Sequence, residues 1–115
     1  MYSVKKNNIK LTRGDTFIAQ VSVLKDGEPY IPEPGDEIRF ALKHPTMDTK
    51  RTRYMDEEPL IYKDIPFDTL VLRLDPEDTK RFPFGSYVYD IQITFANGVV
   101  DTFINGTLQL TEEVD

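Results

Sequence analysis

The sequence predicts an all-β domain, an antiparallel β-sandwich spanning residues 1–115, on three observations. Apolar and polar residues alternate with period two in several short segments, turn residues separate those segments, and no apolar stripe of helical spacing lasts beyond two turns. About seven strands result, with one short helical turn in a crossover.

The first strand is expected at residues 9–11, Ile-Lys-Leu. Arg13-Gly14-Asp15 makes a tight turn into a second strand at 16–24, in which Phe17, Ala19, Val21 and Val23 share one face. Lys25-Asp26-Gly27 is a turn signal, and Pro32 and Pro34 keep 31–36 out of any central ladder. Residues 37–43 alternate cleanly, with Ile38, Phe40 and Leu42 inward and Glu37, Arg39 and Lys43 outward. Periodicity is lost over 44–59, a length of irregular chain that in a small domain marks a functional loop or local disorder. Residues 60–63 read as a short edge strand and 68–74 as a strong one, with Leu70, Leu72 and Leu74 on one side. At Asp75-Pro76-Glu77-Asp78 the pattern changes, because proline at a first helical position with acidic residues around it starts a helical turn. Pro83 and Gly85 end it.

Residues 85–110 carry the strongest signal, a single hairpin. Tyr87, Tyr89, Ile91, Ile93 and Phe95 alternate with more polar residues, and Asn97-Gly98 offers the two positive-φ positions of a type I′ turn. Closure there pairs Phe95 with Val100, Ile93 with Thr102, Ile91 with Ile104 and Tyr87 with Leu108, which keeps both apolar sets on one face. A leucine-alternating strand, a helical crossover and then Gly85-Ser-Tyr-Val-Tyr make the sandwich immunoglobulin-like. In that arrangement Tyr87 is either a corner residue whose hydroxyl folds back onto the crossover backbone or a plain core residue with its hydroxyl at the rim.

Composition narrows the function classes. Twenty acidic residues against fourteen basic ones give a net charge of −6, which opposes a nucleic-acid partner. No cysteine is present, so disulfides and thiolate chemistry drop out. No secretion signal is expected at the N-terminus and no spanning segment anywhere, so neither export nor a membrane partner is anticipated. Lys5, Lys6, Lys10 and Arg13 read as a solvated basic tail, and Lys43, His44, Lys50, Arg51 and Arg53 as a basic loop.

No catalytic group emerges. His44 is the only histidine, none of Ser3, Ser22 and Ser86 lies in a nucleophile elbow, and a zinc site lacks ligands. Asp75, Glu77 and Asp78 suit the positive end of the helical turn better than a calcium ion, and Asp56, Glu57 and Glu58 fit no EF-hand pattern. No cofactor and no metal are therefore expected. Arg13-Gly14-Asp15 matches an adhesion tripeptide and Asn105-Gly106-Thr107 a glycosylation acceptor, but a turn explains the first and a strand position argues against the second. Tyr30, Tyr54, Tyr62 and Phe103 fall on loops or outward positions. Phe103 stands out, because Asp101 and Asn105 on either side should face solvent, and the three together make the expected interaction surface.

The segments Leu11-Thr-Arg-Gly-Asp-Thr-Phe17, Gly35-Asp-Glu-Ile-Arg-Phe40 and Pro76-Glu-Asp-Thr-Lys-Arg-Phe-Pro-Phe-Gly-Ser-Tyr-Val-Tyr-Asp-Ile91, with Asn97-Gly98 and Asp101-Thr102-Phe103, resemble small tail proteins of phages and prophages of Gram-positive bacteria. They are also similar to the N-terminal β-sandwich domain of the upper baseplate protein family, over residues 9–110. Upper baseplate proteins continue into a helical and receptor-binding part, whereas this sequence ends at Asp115, so the resemblance implies the anchoring fold and not the downstream role. It implies a non-enzymatic structural module, made in the bacterial cytoplasm and carried in the virion tail, with other tail or baseplate proteins or further copies of itself as partners. The alternative expectation is a small carbohydrate- or ligand-binding sandwich using the 44–59 loop with Tyr54 or Tyr62.

Overall fold

The computed structural model describes residues 2–5, 7–43 and 60–112, and the expected long loop at 44–59 lies outside them. One sheet has six strands, in the order β1 (Tyr2–Lys5), β2 (Asn8–Thr12), β10 (Val100–Thr111), β9 (Gly85–Thr94), β6 (Glu37–Lys43) and β7 (Ile61–Ile65). A second sheet holds β3 (Phe17–Gln20) and β8 (Val71–Leu74), and β4 (Leu24–Lys25) and β5 (Glu28–Pro29) form a separate small hairpin. The single helix among the described residues, α1 (Pro76–Lys80), carries the chain from β8 to β9 and thus from one sheet to the other.

The fold is an all-β sandwich with one core between unequal layers. Ile38, Phe40, Leu42, Tyr89, Ile91 and Ile93 of the large sheet meet Phe17, Leu72 and Leu74 of the small one in a single buried cluster. Strand β6 occupies the expected residues, and its alternation fails only at Ala41, which is also buried. Strand β7 is the edge strand that was expected there. Helix α1 has proline at its start, and its Asp78 carboxylate accepts the Asp75 N–H at 2.7 Å, satisfying an end group that the helix itself cannot.

Four expectations are corrected. First, β2 and β10 run parallel, with Ile9 opposite Leu108 and Leu11 opposite Leu110, so the sandwich is not wholly antiparallel. Period-two patterning fixes which face is buried and carries no information about strand direction. Second, residues 2–5 are a strand paired with β2, where a solvated tail was expected. Third, the strand expected at 16–24 breaks after Gln20. Val21 and Val23 stay buried, but the Val21 N–H donates to the Leu70 carbonyl at 2.8 Å, and β4 turns away to pair with β5. Leu70 itself has φ 55 and donates to the Pro66 carbonyl at 2.8 Å, which shortens the strand expected at 68–74 to β8.

The fourth correction concerns the long hairpin. Gly98 donates to the Phe95 carbonyl and Phe95 to the Val99 carbonyl, each at 2.8 Å, and only Gly98 of this loop has positive φ, at 91°. This is a type I turn closed by a left-handed glycine over three residues, where a two-residue type I′ turn was expected. The Asn97 carboxamide oxygen accepts the Val99 N–H at 3.0 Å, a local bond that holds Asn97 outside the left-handed region. The loop is one residue longer than expected, so Val100 pairs with Thr94, Asp101 with Ile93 and Thr102 with Gln92, in place of the expected Phe95–Val100 and Ile93–Thr102 pairs. A bulge between Thr102 and Ile104 then absorbs the extra residue and restores Ile91–Ile104 and Tyr87–Leu108. The type I′ geometry occurs instead at Asp26 and Gly27, with φ 53° and 79°, between the paired Lys25 and Glu28.

Candidate interaction surface and the pins behind it

Tyr87 is a corner residue. Its hydroxyl donates to the Pro83 carbonyl at 2.7 Å, tying the start of β9 to the crossover that precedes it. Arg13 reaches the same crossover from the opposite end of the chain. Its Nη1 donates to the Phe82 carbonyl at 3.2 Å, and its guanidinium lies 4.1 Å from the centre of the Phe84 ring. The Gly14 N–H donates to the Thr79 hydroxyl at 3.2 Å, and Thr79 is fully buried. The Arg13-Gly14-Asp15 turn is therefore a brace on the crossover.

A second pin lies beside the hairpin turn. The Asp36 carboxylate, almost wholly buried, accepts three hydrogen bonds: from the Tyr30 hydroxyl at 2.7 Å, the Glu33 N–H at 2.9 Å and the Ala96 N–H at 3.1 Å. The Glu33 amide, with the Tyr30 hydroxyl after it, holds the Asp36 carboxyl below the usual carboxylate range. Its bond to Asp36 pushes Tyr30 up to about 12. Tyr30 also stands edge-on to Phe95, with 5.4 Å between ring centres, and the Lys25 ammonium lies 4.7 Å from the Phe95 ring centre. Sequence reading missed Asp36, which binds two partners in its own connection and a third, Ala96, from the distant hairpin turn.

The acidic group of the crossover is engaged internally. Asp75 accepts from Arg73 Nε at 2.7 Å, and Asp78, besides capping the helix, pairs with Lys63 at 3.0 Å. Glu77 is exposed on the first turn. On the outer face of the large sheet Asp90 has one buried oxygen with no hydrogen-bond partner among the described residues, and Lys43 stands 4.0 Å from the other. Burial pushes the Asp90 carboxyl up, against the smaller pull of Lys43.

The three residues expected to form a surface do not share one face. Phe103 is half-buried and packs against the core, so the exposed phenylalanine inferred from strict alternation is corrected: it sits at the bulge, where alternation breaks. Asp101 lies half-buried opposite the inward Ile93, whereas Asn105 is exposed opposite Asp90. Apolar exposure on this hairpin belongs instead to Val99 and Val100, at 54% and 56%, and Leu24 is exposed on β4, a strand in contact with β10. Of the tyrosines named for sugar binding, Tyr62 is exposed and holds Arg39 over its ring at 5.0 Å, and Tyr54 lies outside the described residues.

No family model matches the chain, and no curated protein matches it. Among solved structures it is similar to CopC from Methylosinus trichosporium OB3b, at 12% identity over 71% of this chain and 72% of that one, with a TM-score of 0.39. A likeness of that size carries no argument about function.

Proposed function

We propose that this chain is a non-enzymatic structural and interaction module of a phage tail or baseplate. The reading starts from the resemblance of residues 11–17, 35–40 and 76–91 to tail proteins, and one observation supports it: those segments supply Arg13, Asp36 and Tyr87, the residues that pin the frame together. The shared residues thus serve the scaffold, as suits a part whose role is to hold and be held. The chain docks onto another tail or baseplate protein, or onto further copies of itself, through the turn end of the 85–110 hairpin, where Val99, Val100 and Leu24 lie exposed. It is made in the bacterial cytoplasm and carried in the virion tail.

Sedimentation of wild type and Val100→Lys at low and high ionic strength, alone and with tail proteins of the source particle, tests this. An apolar contact persists at high salt and is lost in the variant, whereas a contact made by loop charges weakens as salt rises. Monomers under all conditions, with no tail protein co-sedimenting and no antibody labelling of particle tails, overturn the reading.

A further inference from the structure

The two sheets do not close fully on one side. Strand β10 pairs with β2 only from Leu108 onward, and its earlier residues have no ladder partner on that side among the described residues. Behind this gap lies a cavity of about 260 Å³. Phe17, Ala19, Leu72, Ile91 and Ile104 make its apolar walls. Asn7, Gln20 and Ser22, all exposed, add amide and hydroxyl groups to the lining.

We propose that this cavity is a binding site for a neutral, compact, mostly apolar molecule of one or two rings carrying a single hydrogen-bonding group. Three features define that class. Among the described residues no Asp, Glu, Lys, Arg or His lines the cavity, so a charged ligand would lose its hydration with no counter-charge from them to replace it. The walls are aliphatic and aromatic, which suits an apolar body, and the exposed amides and hydroxyl offer both donors and acceptors to one polar head. Size sets the upper limit. The volume exceeds the roughly 150 Å³ that holds benzene in an engineered apolar cavity and falls short of the roughly 300–1,000 Å³ of drug-sized pockets. The Tyr89 hydroxyl, also in the lining, already donates to the Asn7 carbonyl at 2.6 Å and so can serve a ligand only as an acceptor.

The test is titration of the ¹⁵N-labelled chain with indole and, separately, with benzoate as a charged ring of similar size, following amide shifts. Indole shifts the amides of Ala19, Gln20, Ser22 and Ile104 saturably, with a dissociation constant of about 1 mM or tighter. Benzoate binds at least tenfold more weakly. Ala19→Phe, which fills the cavity, removes the indole shifts while leaving the rest of the spectrum folded; should it not fold, Ala19→Leu carries the same comparison with a smaller insertion. No saturable shift with indole at several millimolar, equal binding of benzoate, or shifts unchanged in the filled variant overturns the proposal.

Discussion

Asp36 and Tyr87 show how much one side chain can hold and how unevenly such roles are written in a sequence. Asp36 accepts two bonds within the 30–36 connection and a third from the hairpin turn at Ala96, so Asp36→Asn, which lacks the charge and turns one acceptor into a donor, is expected to cost about 1–3 kcal/mol at neutral pH. The pH dependence has a definite sign. The folded-state pKa of Asp36 is depressed, so its stabilisation is present above the unfolded value near 3.9 and is lost as pH falls through the folded one. Denaturant midpoints of the two proteins, well apart at pH 7, should therefore converge on acidification, and a constant gap down to the lowest pH would rule out the carboxylate as the source. The corner role of Tyr87 was legible as one of two alternatives, because its partner Pro83 is four positions away, within a pattern of strand, helical crossover and strand. Asp36 was not, because Ala96 is 60 positions distant and a single acidic residue among irregular chain announces no partner.

Elements were legible where alternation was long and illegible where geometry interrupts it. Strands β6 and β9 follow from their patterns, and α1 follows from Asp75-Pro76, since each of these signals is local. The hairpin shows what local signals leave out. Its turn and its bulge each shift the register by one residue in opposite senses, so the outer half of the expected pairing holds while the half next to the turn does not. Nothing in residues 99–103 marks a bulge, and the misplaced exposure of Phe103 follows directly from it. Gly98 still carries the turn. With φ at 91° it sits where a β-branched side chain is strained, and Gly98→Val is expected to lower stability by about 1–3 kcal/mol, read as a lower melting temperature with an unchanged far-ultraviolet spectrum. An unchanged melting temperature would mean that the loop adopts another turn.

At the scale of the whole molecule, the layers are unequal and the large sheet is completed by its two most distant segments. Gly106 of β10 lies so close to the Asn7 backbone that any Cβ there would overlap the Asn7 carbonyl oxygen, the same oxygen that accepts the Tyr89 hydroxyl. Gly106→Ala should accordingly push the β1–β2 turn off the sheet at a cost of about 1–3 kcal/mol, with faster amide exchange in residues 7–12; exchange unchanged from wild type would show that the approach is looser than described. A sandwich was legible from the strands, but the closing pair was not, because alternation cannot tell that β2 and β10 are neighbours. That pairing sets an order of events. Thr107 and Asn8 meet across 99 positions, so a long loop must close before this ladder forms, and contacts of that range are expected late in folding. Until the last strand arrives, Ile9, Leu11 and the flank of β9 stand uncovered, and a nascent or truncated chain lacking it presents an unpaired apolar strand to its neighbours. Strand β10 is thus also the one whose delay would turn separate chains into aggregates.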